Sequence, residues 1–129
     1  MKNQPLEQSS SAVVLFAHGA RDPRWAEPFM RLQTLVQQGV STQVEVHVAF
    51  LELMTPSLPD VIAKLHQQAV HHAKIVPIFL GQGGHVRRDL PELVQKLQQD
   101  YPAMTLSLAT AIGENDAVLQ AIAAVCIQE

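Results

Sequence analysis

Ala12-Val-Val-Leu-Phe-Ala17 is an unbroken apolar run that ends on His18-Gly19. A short continuous run of this kind, β-branched in part, reads as a strand buried on both faces. Lys74-Ile-Val-Pro-Ile-Phe-Leu80 is a second such run, and it leads into Gly81-Gln-Gly-Gly-His85. Two other stretches alternate instead. Val44, Val46 and Val48 are interleaved with Glu45, His47 and Ala49, and Met104, Leu106 and Leu108 with Thr105 and Ser107. Alternation is the period of a strand with one face exposed. Continuous strands belong at the centre of a parallel sheet and alternating ones at its edges, which predicts the order 2-1-3-4. Pro77 stands against this, because a missing N–H is costly in a central strand.

Between the strands the period changes to that of helices. Trp25, Phe29, Leu32 and Val36 share one face of a helix over residues 24–38. Ser57-Leu-Pro-Asp60 carries a capping serine, an acid three residues on and a proline in the first turn. The helix that follows would bury Leu58, Val61, Ile62, Leu65 and Ala69. Asp89-Leu-Pro-Glu92 reads as the start of a third helix, with Leu90, Leu93, Val94 and Leu97 inward. The last spans residues 116–127, with Val118, Leu119, Ile122 and Val125 inward. The alternation β-α-β-α-β-α-β-α predicts a three-layer α/β fold: a four-stranded parallel sheet with helices on both faces.

The 129 residues suit one domain, and 47% hydrophobic residues suffice for a core. We expect a flexible polar segment over residues 1–11 and a single α/β domain over residues 12–129. The net charge of −3 argues against nucleic acid as a partner. No apolar run is long enough to span a membrane, and no signal peptide is evident, so the expected setting is the cytoplasm. The lone Cys126 excludes an internal disulfide and reads as a small buried hydrophobe.

The chemistry gathers at the carboxyl ends of the strands. With order 2-1-3-4 the strand order reverses between the first and third strands, where open α/β sheets bind ligands. His18 follows the first strand and His85 the third, so both should reach that crevice. Four of the five arginines flank them: Arg21 and Arg24, Arg87 and Arg88. The loop after the second strand holds Glu52 within Phe50-Leu-Glu-Leu-Met54. Glu52 either caps the next helix or takes part in the chemistry. Gly83 and Gly84 either serve a tight turn or admit an anion. Their spacing fits neither the dinucleotide fingerprint nor the Walker loop. Two histidines are too few for a closed zinc site, but they suit a metal that arrives and leaves, or proton transfer near neutral pH. His71-His72 reads as a solvated helix end, His47 and His66 as solvent-facing, and Trp25 as core.

Taken together, His18-Gly-Ala-Arg-Asp-Pro-Arg-Trp25, Ala49-Phe-Leu-Glu-Leu-Met54 with Pro56-Ser-Leu-Pro59, and Val76-Pro-Ile-Phe-Leu80 with Gly83-Gly-His-Val-Arg-Arg-Asp-Leu-Pro-Glu-Leu93 resemble the CbiX/SirB family. These are sirohydrochlorin chelatases that need no ATP. The resemblance covers nearly the whole chain after Ser11 and is to the small, single-lobed form. It implies a chelatase-like fold and insertion of a divalent metal into sirohydrochlorin, a polycarboxylate tetrapyrrole, on the route to cobalamin or sirohaem. Cobalt is the expected metal, with iron or nickel as alternatives, and no tightly bound organic cofactor is expected. His18 and His85 match the family's metal-handling histidines and Glu52 the acid of the second motif. Arg21, Arg24, Gly83, Gly84, Arg87 and Arg88 would hold the substrate. Ala20 stands where the family often has serine, and Asn115 where many members have histidine. A single lobe offers one wall of a cleft, so a twofold homodimer with the histidine loops facing each other is expected, with Leu51, Leu53 and Met54 as candidate contacts. Two rival readings use the same residues: a non-catalytic tetrapyrrole or metal carrier, and a phosphate-binding module built on the glycine loop.

Overall fold

Val14, Leu15 and Phe16, successive residues of the first apolar run, are all buried, so side chains on both faces of this strand are covered. The computed structural model describes residues 11–128. Its strands are β1 (Ser11–Ala17), β2 (Val44–Phe50), β3 (His72–Pro77) and β4 (Thr105–Leu108), all parallel, in the order β2-β1-β3-β4. The segment expected to be flexible lies outside the described residues, except for Ser11, which opens β1.

Pro77 fits because it is the last residue of β3 and not a central one. Ala109 donates its N–H to the Ile75 carbonyl, so residues 75 and 77 turn their backbone groups toward β4. The last β3–β4 pair is Ile75 with Leu108, so the missing N–H of Pro77 points past the end of the ladder. The third strand begins two residues earlier than expected and stops three earlier. His72, read as a helix end, is instead its first residue.

The helices are α1 (Glu27–Gly39), α2 (Leu58–Gln67), α3 (Gly84–Asp100) and α4 (Asp116–Ile127). On one face of the sheet, Val14, Phe16 and Ile75 meet Val61, Ile62 and Leu65 of α2 and Leu90, Val94 and Leu97 of α3. On the other, Leu15, Val46, Val48 and Phe50 meet Phe29, Leu32 and Val36 of α1. A reciprocal capping box opens α2: the Ser57 hydroxyl accepts from Asp60 N–H, and the Asp60 carboxylate from Ser57 N–H. Its far end closes in a Schellman turn. Ala69 donates to the His66 carbonyl and Val70 to the Leu65 carbonyl, with Ala69 at φ 60°. Ala69 is therefore exposed at a left-handed cap, and Val70 takes the buried place expected for it.

Three helices depart from expectation. α1 begins at Glu27, three residues later than expected, after a separate 3-10 turn over Pro23–Ala26 that holds Trp25. α3 begins at Gly84, five residues before Asp89, and carries Pro91 in its interior. Val86, Leu90, Leu93, Val94 and Leu97 form one stripe against the core, so extending the helix backward buries Val86 as well. Pro91 leaves the Arg87 carbonyl without a helical donor. α4 has the expected bounds but buries none of its residues: Leu119 is 43% exposed, Ile122 40% and Val125 68%. Cys126 is likewise exposed. On the α1 side, β3 and β4 offer Lys74, Val76, Thr105 and Ser107, a largely polar bed for an apolar helix.

Glutamines occupy much of both sheet edges. Gln33 and Gln37 of α1 donate to the outward carbonyls of Val46 and Val44, at 2.7 and 2.9 Å. Beside β4, Gln98 donates to the Met104 carbonyl at 2.7 Å and accepts from Leu106 N–H at 2.9 Å.

Candidate functional site

His18 leaves β1 directly after the buried Ala17, and two contacts of its own fix it, with further contacts from its two neighbours. Its imidazole stacks on the ring of Phe79, with centroids 4.2 Å apart and planes 28° apart. Phe79 is itself buried and lies against Phe16, so the stack is anchored in the core. The His18 carbonyl accepts from the Trp25 indole N–H at 2.8 Å. The next residue, Gly19, packs so closely on the loop after β2 that a Cβ there would overlap the Glu52 carbonyl. Leu51 N–H also donates to the Ala17 carbonyl, at 2.8 Å. The loops after β1 and β2 are thus locked together beside a half-buried imidazole.

Glu52 is exposed in that second loop and does not cap α2, whose N-terminus is closed by Ser57 and Asp60. Leu53, next to it, has φ 66°, an uncommon conformation for a leucine, and is exposed. Phe50 belongs to β2 and is buried.

His85, Arg87 and Arg88 lie in the first two turns of α3, not in a loop. The His85 side chain is 88% exposed, with Nδ1 4.0 Å from an Asp89 carboxylate oxygen. Gly83 is the N-cap of α3 and Gly84 its first residue. Neither has a positive φ, and a Cβ at either would meet no atom within 4 Å. A tight turn therefore does not account for them. They leave the helix N-terminus bare, with free N–H groups and the positive end of the dipole, a setting that attracts anions.

The arginines differ in their freedom. Arg24 is gripped by Asp22 through a side-chain fork whose shortest contact is 2.7 Å, and its own N–H donates to the same carboxylate at 2.9 Å. The guanidinium first, and the backbone N–H after it, hold the Asp22 carboxyl below the usual carboxylate range. Asp22 in turn holds Arg24 more firmly protonated. Arg88 has Asp89 at 3.7 Å. Among the described residues, Arg21 and Arg87 are in no ion pair.

The structure therefore places His18, Glu52 and His85 on the segments that follow β1, β2 and β3, at one end of the sheet. No hydrogen bond or ion pair joins them, and among the described residues no three His, Cys, Asp or Glu side chains form a metal-binding group. The arrangement is one anchored imidazole, one exposed imidazole, an exposed carboxylate and a cationic helix start. Two contributors were not read from sequence as parts of the site. Phe79 stands in the quoted strand run, and Trp25, read as core, stands in the first motif. Trp25 is 42% exposed, and its role is the hydrogen bond to His18. Asn115, noted as a departure, caps α4 by accepting from Val118 N–H.

A family model described as CbiX matches residues 12–128. The sirohydrochlorin cobaltochelatase of Methanopyrus kandleri is 31% identical over 83 residues, 64% of this chain and 57% of that protein. The sirohydrochlorin ferrochelatase of Bacillus subtilis is 24% identical over 111 residues, 86% of this chain and 42% of that protein. The chain thus spans less than two thirds of the length of these relatives. Among solved structures, the CbiX protein of Marinobacter aquaeolei VT8 superposes with a TM-score of 0.81 and 31% identity, covering 92% of this chain and 95% of that one. SirB of Bacillus subtilis subspecies spizizenii, solved with cobalt, shares the fold at a TM-score of 0.74 and 24% identity, covering 88% of this chain and 48% of that one.

Proposed function

Because the chain belongs to the CbiX family, we infer that it inserts a divalent metal, cobalt or iron, into sirohydrochlorin without ATP. Curated relatives named for each metal support this reading. The observation that carries it is the position of His18 and His85 after β1 and β3, on either side of the reversal in strand order.

Metal entry expels two pyrrole protons, so the site must deliver a cation and remove protons. His18, held by Phe79 and Trp25, is the fixed ligand for the incoming ion. His85, exposed at the start of α3, is the mobile one. A neutral imidazole or the Glu52 carboxylate accepts the protons. Arg21, Arg87 and Arg88, with the bare N-terminus of α3 at Gly83 and Gly84, hold the carboxylate arms of the ring. Arg24 contributes less, because Asp22 already neutralises it.

A twofold homodimer is part of the same proposal. Its strongest support is α4, an apolar helix that the chain's own core leaves uncovered. Of the earlier candidate contacts, Leu51 and Met54 pack against the core clusters and only Leu53 is largely exposed. A second copy meeting this chain through α4 would supply the other wall of the cleft. We place the protein in the cytoplasm; among the described residues no helix is long and apolar enough to cross a membrane.

The test is to mix the purified protein with sirohydrochlorin and cobalt, or iron, and follow the visible spectrum. Spectral change over many turnovers is expected. A change that stops at one equivalent of protein would make it a carrier, and no change would remove the tetrapyrrole reading. Light scattering at micromolar concentration should give twice the chain mass, and a monomer that turns over would sink the shared cleft.

A further inference from the structure

We propose that Trp25 is a positioning residue for His18, acting through its indole N–H. In its kinetic arm the proposal rests on the chelatase reading. Trp25 is the only tryptophan of the chain and is only partly buried, so packing alone does not explain its place. Its N–H meets the His18 carbonyl at 2.8 Å, and among the described residues no other donor reaches that carbonyl. The indole is backed by Phe29, with centroids 5.8 Å apart, and Phe29 meets the buried Phe50 edge-on at 6.4 Å. A chain of rings thus runs from the core beneath α1 to the backbone of His18. From the opposite core, Phe16 and Phe79 reach the imidazole.

The two supports act on different parts of one residue. Phe79 limits the tilt of the imidazole, and Trp25 fixes the peptide plane from which that side chain projects. Gly19 and the loop after β2 hold the chain on either side of His18, but among the described residues the indole N–H is the one group that bonds the His18 carbonyl itself. Without the indole N–H the His18 carbonyl would turn to water, and the ring would slide on Phe79. Reacting groups must be held to fractions of an ångström, and a small displacement costs rate more than binding.

Because the chain has one tryptophan, biosynthetic replacement with benzothienylalanine changes a single site. It keeps the bicyclic shape and substitutes sulfur for N–H. With saturating cobalt, kcat should fall about tenfold while KM for sirohydrochlorin stays within about twofold. Trp25→Phe, which loses both N–H and ring area, should lose at least as much in kcat. An unchanged kcat in the active protein overturns the proposal, as does a rise in KM alone, which would make Trp25 a substrate contact. A second reading needs no turnover. In histidine-labelled protein, the His18 ring protons should carry the upfield shift of a ring stacked on Phe79, and the analogue should remove much of it. If the wild type inserts no metal, the chelatase reading fails, and this shift alone decides the role of Trp25: an unmoved signal overturns it.

Discussion

The imidazole of His18 and the ring of Phe79 are stacked, 4.2 Å between centroids, and Phe79 is one of the most deeply buried side chains in the chain. A residue on the rim of the site is therefore set by the core beneath it. Phe79→Leu should cost roughly 1–2 kcal/mol of stability, as an imperfectly repacked core aromatic does. It should also lower kcat for metal insertion about tenfold, because the imidazole loses its platform. Urea unfolding and steady-state kinetics on the same preparation check both. Full activity alongside lost stability would show that the stack serves only packing.

His85→Ala should separate chemistry from folding in the opposite way. Its side chain is 88% exposed, so stability should change by no more than about 0.5 kcal/mol. Metal insertion should fall about a hundredfold or more if the imidazole binds the ion or moves a proton. Wild-type turnover at saturating cobalt would remove His85 from the mechanism.

The Asp22–Arg24 fork allows a gain to be predicted. The depressed Asp22 carboxyl contributes its share at every pH above the ordinary aspartate range, and loses it only as pH falls through the lowered value. At neutral pH, Arg24 therefore stays committed. Asp22→Asn preserves a capping side chain for Arg24 N–H but releases the guanidinium. Metal-free sirohydrochlorin should then bind about threefold more tightly, the factor that goes with an exposed ion pair. Replacing Arg87 and Arg88 together with alanine should weaken the same binding about tenfold. Equal affinities across the three proteins in a fluorescence titration would assign these arginines to the solvated surface.

Ala69 at φ 60° occupies the Schellman position that glycine usually fills. Ala69→Gly should stabilise the protein by about 0.5–1 kcal/mol, the left-handed strain of alanine less the extra freedom of an unfolded glycine. Thermal unfolding of the variant is the check, and a lower melting temperature would contradict it.

The layered fold was legible because its signals are local. Continuous against alternating apolar runs separated β1 and β3 from β2 and β4, and Ser57 to Asp60 marked the start of α2. The start of α3 was hidden because Asp89 and Pro91 carry the chemistry of a helix N-terminus inside a helix whose buried stripe begins at Val86. The periodicity of α4 identified its apolar side but carried no information about what would cover it. At the site, His18 and His85 could be placed from strand order alone. The stack on Phe79 and the bond from Trp25 could not, since both depend on how separate segments meet in space.

The side-chain amides along β2 and β4 bear on how copies of the protein can associate. Gln33, Gln37 and Gln98 fill backbone valences that an incoming strand would need, so the sheet is a ribbon of fixed width. Growth by strand addition, the route to fibrous aggregates, is closed at those positions. Self-association is left to helical surfaces such as α4, where contact ends once the apolar side chains are matched, and a finite assembly is favoured over an open-ended one.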